Sequence, residues 1–302
     1  MTASGAGRPA EGERPVAYQA DGYHEAGLPL PDEAGQLWEV NATWWQESFT
    51  EGADAEYEEQ IIPLLRAELR MAAPRDVLDI GCGEGQLSRV ASQVQGVRRV
   101  WGVDPTRSQL VEAEVRGRAA RDALGEAGAA VAPVSYARAV AGSLPFADAS
   151  FDAAFACLVF EHIEGTAGAM AEVGRVLREG GTFVLLLNHP LLQAPGSGWV
   201  DDQILGEQYW RIGPYLVEHH GVEEVDKDVW IPFVHRPLSV YVNAMAAAGL
   251  YLTGMAEPPP PEGFLARAEE YREAAAFPRL LMLRARKLGA PAPPGPGRGE
   301  GA

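Results

Sequence analysis

Short apolar runs alternate along the chain with segments of helical spacing. The run at 76–80 (DVLDI) is followed by Leu87, Val90 and Val94, which share one face of a helix. The same order of strand and helix recurs several times. The pattern predicts strands at 76–80, 99–103, 151–158, 182–187, 250–254 and 279–286. It predicts helices from Leu87, from Thr106, around Met170 to Leu177, from Leu238 to about Ala248, and after Phe264.

This alternation predicts βαβ units and therefore a parallel sheet. The run 183–187 (FVLLL) is apolar on consecutive residues, which is typical of a central strand covered by helices on both faces. The fold class indicated is α/β, with a doubly wound sheet.

The alternation stops between Asn188 and Arg236, where aromatic residues lie among Pro, Gly and acidic residues. A connection this long is usually a functional lid or an inserted subdomain. We therefore expect a main domain at 57–288 with a lid insertion at about 189–236, preceded by an aromatic arm at 21–56. The ends at 1–20 and 289–302 have no hydrophobic period and are expected to be disordered.

The amino-acid composition limits the kinds of partner that this protein is expected to bind. The chain has 302 residues, 47% of them hydrophobic, with 25 Lys and Arg against 42 Asp and Glu, a net charge of −17. This charge repels nucleic acid and anionic lipid, so we expect a small-molecule partner. The presence of only Cys82 and Cys157, and of no apolar run of membrane length, favours a cytoplasmic protein; a homodimer is left open.

The most informative segment joins the first strand to the first helix, with the sequence VLDIGCGEGQL at 77–87. Its glycines, Gly81, Gly83 and Gly85, allow backbone to approach a ligand closely. A dinucleotide fingerprint needs glycine at position 86, where this chain has Gln86, so NAD is disfavoured. Asp79 precedes the glycines, and its carboxylate would repel a pyrophosphate. The expected ligand is cationic or lacks phosphate.

The second strand leads to Asp104, about 20 residues beyond the loop, where a carboxylate can accept hydrogen bonds from two ribose hydroxyls. With these motifs the chain resembles the class I S-adenosylmethionine-dependent methyltransferases. The resemblance includes LPF at 144–146, DASFDAAF at 148–155, the pair Glu161-His162 and RVLREGGTFVLLL at 175–187, and it covers roughly 57–287.

The resemblance implies a Rossmann-like fold with seven mostly parallel strands and S-adenosyl-L-methionine as the cofactor. Asp79 and the glycine loop would hold the methionine part, Asp104 the ribose, and Ser143-Leu144 the adenine. The cofactor-binding residues it implies are Asp79, Gly81, Cys82, Gly83, Gly85, Gln86, Asp104, Pro105, Ser143, Leu144, Cys157 and Leu158. Many relatives have Asp where this chain has Val140, which leaves backbone near Gly142 and Ser143 to recognise adenine.

Methyl transfer from a sulfonium is a direct displacement, for which the protein aligns the reactants and excludes water. A hydroxyl or amine acceptor must also lose a proton, for which His is the natural base. His162 and His189 follow the fourth and fifth strands, so both are candidates; packing or capping is the alternative for His162. No metal site is expected, since the adjacent His219-His220 pair lacks the spacing of metal ligands on a helix.

The function indicated is methyl transfer to a small, partly apolar acceptor, at oxygen before nitrogen or carbon. The alternatives are an NAD-linked oxidoreductase and a non-catalytic protein that binds the cofactor. We expect acceptor specificity to reside in 188–236 together with the aromatic stretch Trp38–Phe49.

Overall fold

A computed structural model describes residues 31–50, 52–125, 131–267 and 273–289. The strands are β1 (Asp76–Ile80), β2 (Arg99–Asp104), β3 (Val134–Arg138), β4 (Phe151–Cys157), β5 (Leu177–Asn188), β6 (Gly198–Asp202), β7 (Glu207–Arg211), β8 (His219–Asp226), β9 (Val229–His235), β10 (Leu250–Ala256) and β11 (Leu280–Lys287). Seven of them form one sheet in the order β10-β11-β5-β4-β1-β2-β3. Six of these strands run in the same direction, and β11 runs in the opposite direction between β10 and β5.

Helices cover both faces of the sheet. They are α1 (Pro31–Val40), α2 (Ala42–Phe49), α3 (Ile62–Ala72), α4 (Gln86–Ser92), α5 (Arg107–Ala123), α6 (Thr166–Val176), α7 (Leu238–Ala247) and α8 (Glu262–Leu265). Along β5, Phe183 and Leu185 join one buried cluster with Met170 of α6, whereas Val184 and Leu186 join a second cluster on the other face. The consecutive apolar residues of this strand are explained by burial on both faces. The predicted seven-stranded α/β fold is confirmed.

The structure differs from the predicted elements in three places. The edge strand β3 was not predicted, because Ser135 and Arg138 are exposed and its alternation of polar and apolar residues is weak. The fifth strand begins at Leu177, five residues before the predicted start at 182. After β10, the helix α8 ends at Leu265, and residues 268–272 of the segment where a helix was expected lie outside the described residues.

The segment after β5 forms two hairpins, β6–β7 and β8–β9, where the sequence showed no regular pattern. The hairpin β8–β9 is tied to the N-terminal helices, since Asn41 Nδ2 donates to the carbonyl oxygen of Trp230 at 2.7 Å and Trp44 Nε1 donates to Asp226 at 2.9 Å. Among the helices described here, none has the length and apolar character to span a bilayer. The expected disorder at 1–20 and 290–302 concerns residues outside the described ranges.

Candidate functional site

The carboxyl ends of the parallel strands meet at one edge of the sheet, which is where ligands bind in folds of this class. The ends of β1, β4 and β5 are neighbours there. The antiparallel strand β11 starts at this edge, because its Leu280 pairs with Asn188 at the end of β5. The segment preceding β11 therefore also borders the site.

The glycine loop after β1 has the left-handed backbone that its sequence suggested. Gly81, Gly83 and Gly85 have φ values of +71°, +51° and +81°. A side chain at Gly81 would overlap Val159, and one at Gly85 would overlap the hydroxyl of Tyr136. A side chain at Gly83 would point into open space, so the loop presents bare backbone on that side.

Four of the five amide groups at 81–85 are occupied within the protein, that of Gly85 by the carbonyl oxygen of Cys82 at 2.8 Å. The N–H groups of Gly81 and Cys82 donate to the carbonyl oxygen of Val103 at 2.8 and 3.0 Å. The N–H of Gly83 donates to Oδ2 of Asp104 at 3.0 Å. Phosphate recognition by a glycine loop depends on free N–H donors. The loop is therefore unsuited to a dinucleotide and suits a ligand that offers donors or positive charge.

Asp79 lies at the end of β1 with 2% of its surface exposed. Its Oδ2 accepts a hydrogen bond from the hydroxyl of Ser88 at 2.6 Å. Burial, together with the negative charges of Asp104 and Glu84, raises the pKa of Asp79 to about 7 against the lowering effect of the hydrogen bond from Ser88. A buried carboxyl surrounded by acidic groups is stabilised in its charged form by a cation.

Asp104 ends β2 and connects the loop to the helix that follows. Its Oδ2 receives the N–H of Gly83, and its Oδ1 receives the N–H of Thr106 at 2.8 Å. Each carboxylate oxygen has a further lone pair, so both can still accept from a diol. Burial raises the pKa of Asp104. Next to it, Glu39 of the N-terminal arm accepts from the first amides of α5, which brings the arm to the edge of the site.

These groups fit S-adenosylmethionine. Asp79 would provide an anionic partner for the cationic methionine part, Asp104 would provide acceptors for the ribose, and the open side of Gly83 would leave room for the ligand. At the start of α4, Gln86 Oε1 is buried without a hydrogen-bond partner among the described residues, so an acceptor remains for a ligand donor. Pro105 follows Asp104 at the surface, with its carbonyl oxygen accepting from Arg138 at 2.8 Å.

The expected adenine segment is divided between surface and core. Ser143 closes a tight turn, since its N–H donates to the carbonyl oxygen of Val140 at 3.0 Å. Leu144 is different, because its side chain packs in the core, its N–H donates to Glu172 and its carbonyl oxygen accepts from Arg175. Val140, Gly142 and Ser143 are exposed, so they are the part of this segment that a ligand can reach.

The end of β4 has two residues of the expected cofactor wall. Cys157 is buried, and burial raises the pKa of its thiol well above the usual value, so it is inert rather than nucleophilic. Burial has the same effect on Cys82 in the glycine loop. Leu158 has a φ of +55°, an uncommon conformation for a non-glycine residue that turns the chain sharply after β4.

His162 lies in a short 3₁₀ turn after β4 and contacts two other elements, β9 and α1. Its Nδ1 is 2.8 Å from the carbonyl oxygen of Pro232 in β9. Its ring meets Trp38 of α1 edge to face at 5.0 Å, and Phe233 at 5.6 Å. Since a carbonyl oxygen only accepts, Nδ1 carries the proton and Nε2 has the free lone pair. Burial lowers the pKa of His162 to about 4, so the ring is neutral at physiological pH.

His189, the other histidine expected to act as a base, has both ring nitrogens in use. The N–H of Leu191 donates to its Nδ1 at 3.1 Å, which requires the proton to be on Nε2. Nε2 then donates to Glu257 at 2.8 Å. This arrangement fixes the turn after β5 to the end of β10 and leaves no nitrogen of His189 to accept a proton.

Two buried charged residues at this edge were not singled out from the sequence for the roles that their contacts suggest. Glu161 Oε1 accepts from the backbone and side chain of Asn188 at 3.1 and 3.3 Å, and burial raises its pKa to about 7. Arg236 is fully buried and donates to Glu218 and to the carbonyl oxygens of Phe160 and Glu164. Arg236 thereby joins the insertion to the turn that bears His162. The only sign of this role in the sequence was a charged residue, Arg236, in an apolar stretch with no opposite charge next to it.

A pocket opens beside the end of β5, and we call it the aromatic pocket. It spans about 500 Å³ when the adjoining open solvent is counted, of which about 50 Å³ is available to the centre of a water-sized sphere. Its lining residues come from the turn after β5, from β6 and β7, and from the segment between β10 and β11: Asn188, Leu192, Gln193, Trp199, Trp210, Phe264, Ala274, Phe277 and Arg279. The contribution of Phe264, Ala274, Phe277 and Arg279 was missed from the sequence. In the described ranges, no three His, Cys, Asp or Glu side chains converge as a metal site requires.

The fold and the edge geometry together define a class of protein that binds a nucleoside bearing a cation and no phosphate. Comparison with known proteins agrees. Residues 78–185 match the family model of a methyltransferase domain. The chain is 30% identical over 146 residues to O-methyltransferase resE of Aspergillus sclerotiorum, covering 48% of this chain and 52% of that protein.

Solved structures extend the likeness over most of the chain. An S-adenosylmethionine-dependent methyltransferase from Mesorhizobium loti is 29% identical, with a TM-score of 0.59 over 74% of this chain and 96% of that one. A Burkholderia thailandensis 1,6-didemethyltoxoflavin-N1-methyltransferase with bound S-adenosylhomocysteine is 18% identical, with a TM-score of 0.55 over 90% and 98%, a likeness of fold alone.

The chain therefore contains a methyltransferase domain and has the fold of the class I S-adenosylmethionine-dependent methyltransferases, whose cofactor is S-adenosylmethionine. It spans about half the length of the curated relatives it matches.

Proposed function

We propose that this protein transfers the methyl group of S-adenosylmethionine to an oxygen atom of a small, partly apolar acceptor. The observation that carries the proposal is the glycine loop between Asp79 and Asp104, most of whose N–H groups are used within the protein. S-adenosylmethionine supplies an electrophilic methyl carbon on a positively charged sulfur. Transfer to oxygen is favoured because several relatives are named O-methyltransferases.

The protein holds the cofactor through groups of opposite character. Asp79 faces the cationic methionine part, and Asp104 accepts from the ribose hydroxyls. The turn around Val140 and Ser143 meets the adenine, while Cys157 and Leu158 form an apolar wall beside the reacting centre. The loop residues Gly81–Gly85 and Gln86, and Pro105 beside Asp104, complete this binding surface.

His162 is the residue we propose to accept the acceptor's proton, because Nε2 has a free lone pair and the ring is neutral. A base with a pKa of about 4 constrains the acceptor. Taking a proton from a phenol-like hydroxyl with a pKa of about 10 is uphill by about 8 kcal/mol in the ground state. A water-like hydroxyl, with a pKa of about 16, would double that cost. The base therefore favours an acidic hydroxyl, such as a phenol or enol.

The arm and the insertion exclude water from this edge. Trp38 packs on the ring of His162 while Glu39 binds the start of α5, so α1 extends from the proposed ribose site to the proposed base. Excluding water strengthens the electrostatic contacts at the reacting atoms and keeps the acceptor oxygen desolvated.

Titration calorimetry with S-adenosylhomocysteine and with NADH tests the cofactor assignment. We expect S-adenosylhomocysteine to bind and Asp104→Ala to weaken its binding by about 2 kcal/mol. Asp104→Asn, which keeps an acceptor oxygen, should lose less, and the exposed Asp122→Asn should bind as wild type. Preferential binding of NADH, or unchanged affinity in a folded Asp104→Ala protein, would contradict the assignment.

The reaction is tested by incubating the protein with S-adenosylmethionine and a panel of phenols, enols, amines and aliphatic alcohols. We expect release of S-adenosylhomocysteine with hydroxyl acceptors of low pKa. Cofactor binding without product from any acceptor in the panel would favour a non-catalytic binding protein, and methylation of amines alone would contradict oxygen as the accepting atom.

A further inference from the structure

The aromatic pocket has walls at fixed angles to one another. Trp199 and Trp210, which face each other across the β6–β7 hairpin, meet at 90° with ring centroids 5.6 Å apart. Phe277 lies edge to face with Trp199 at 5.2 Å, and is tilted by 37° from Trp210 at 6.2 Å. Ring faces and edges in this arrangement offer both stacked and edge contacts to a flat ring, with little conformational entropy to lose.

Trp210, one of the residues that line the pocket, has an unused hydrogen-bond donor. Nε1 of Trp210 is buried and has no acceptor among the described residues. A buried donor without a partner costs free energy comparable to its desolvation, which an acceptor atom on a ligand would recover. An indole N–H can only donate, so the ligand atom it selects is an acceptor, such as a hydroxyl or carbonyl oxygen.

The positively charged side chain of the pocket, Arg279, is already paired with a carboxylate. Arg279 donates through Nε to Glu56 at 2.6 Å, and its guanidinium lies 4.1 Å over the ring of Phe264. An ion pair with a carboxylate leaves little net positive charge to attract an anion. The polar selection therefore comes from Trp210 and Asn188, which favour a neutral oxygen-bearing ligand.

The pocket is close enough to the cofactor site to hold the acceptor. Strand β5, which ends at Asn188, is separated from β1 only by β4. Two spacings of about 4.8 Å set these strand ends about 10 Å apart. Glu161, in the turn that also bears His162, accepts from Asn188 and so links the pocket to that turn.

We propose that the aromatic pocket binds the methyl acceptor, and that the acceptor is a flat, hydroxylated aromatic ring system with an oxygen atom that accepts a hydrogen bond from Nε1 of Trp210. This inference rests on the proposed function for the statement that the ligand is methylated. The binding of such a ring is a separate claim and is tested separately.

Equilibrium dialysis of the full chain, saturated with S-adenosylhomocysteine, uses three probes of similar size. They are 2-naphthol, naphthalene without the oxygen, and trans-2-decalol, which keeps the hydroxyl but is saturated and not flat. We expect 2-naphthol to bind at least tenfold more tightly than trans-2-decalol. Equal binding of these two probes would overturn the claim that the pocket selects a flat ring.

Two variants and a control locate the probe. Trp210→Phe should weaken 2-naphthol about fivefold more than it weakens naphthalene, because both probes lose part of the ring surface but only 2-naphthol loses the N–H donor. Phe277→Leu should weaken both probes about fivefold. Tyr209→Phe changes the same strand on its exposed side and should leave both unchanged.

Wild-type affinity for 2-naphthol in both Trp210→Phe and Phe277→Leu would overturn the assignment. Calorimetry with S-adenosylhomocysteine on the same samples separates this failure from that of the proposed function. If the wild type does not bind S-adenosylhomocysteine, the methyltransferase reaction is contradicted. If it binds S-adenosylhomocysteine but the variants bind 2-naphthol as the wild type does, only the proposed role of the pocket is contradicted.

Discussion

The protonation of Asp79 should make cofactor binding depend on pH. Its carboxyl is buried against Ser88, and its pKa of about 7 means that it is half protonated at neutral pH in the free protein. The ammonium and sulfonium of a bound cofactor would favour the charged carboxylate and lower this pKa. Binding therefore releases a proton.

The size of the effect follows from the ionised fraction of the free protein. With a pKa of about 7, about 9% of Asp79 is ionised at pH 6 and about 76% at pH 7.5. If the complex requires the carboxylate, affinity rises about eightfold over that interval, which is about 1.2 kcal/mol. Proton release should fall from about 0.9 per cofactor at pH 6 to about 0.2 at pH 7.5.

Calorimetry in buffers of different ionisation enthalpy measures both quantities. The ligand is S-adenosylhomocysteine, compared with 5′-methylthioadenosine, which lacks the amino group and should show no such dependence. Asp79→Asn should weaken S-adenosylhomocysteine at pH 7.5 and abolish its pH dependence, while the exposed Asp122→Asn should reproduce the wild type. A flat profile in the wild type, or the same slope in Asp79→Asn, would refute the reasoning.

Two further predictions concern the turn after β4 and the end of β5. Burial raises the pKa of Glu161 from 4.5 to about 7, so the folded state loses up to about 3 kcal/mol of stability as pH rises from 4.5 through 7. Glu161→Gln should remove this loss when the free energy of unfolding in urea is measured between pH 5 and 8. The same pH dependence in variant and wild type would show that ionising this carboxyl does not destabilise the fold. His162→Asn, which keeps a donor for the carbonyl oxygen of Pro232, should lower turnover about 100-fold without changing cofactor affinity. The turnover of His189→Gln, which keeps a donor for Glu257, should stay within a few-fold of the wild type. A larger loss of turnover in His189→Gln than in His162→Asn would assign the base to His189.

Local sequence patterns were sufficient to predict the central strands and the glycine loop of this protein. The apolar run 183–187 indicated a strand covered on both faces, and the structure distributes these residues between two cores. The glycine loop was equally readable, since positive φ at Gly81, Gly83 and Gly85 is a property of single residues and of the turn they form. Such features depend on neighbours a few residues away, which the sequence itself displays.

The pairing of polar atoms was decided only by the tertiary structure. From the sequence His162 and His189 were both candidates, with packing or capping as the alternative for His162. The difference between them in the structure comes from Pro232 and Glu257, which lie 70 and 68 positions away. The aromatic pocket likewise combines the insertion with Phe277, which reaches the same edge because β11 runs antiparallel to β5. Hydrophobic periodicity specifies which face of an element is buried, but it does not specify which distant carbonyl or carboxylate a ring nitrogen will meet. That choice follows from strand order and chain direction, which are properties of the assembled sheet.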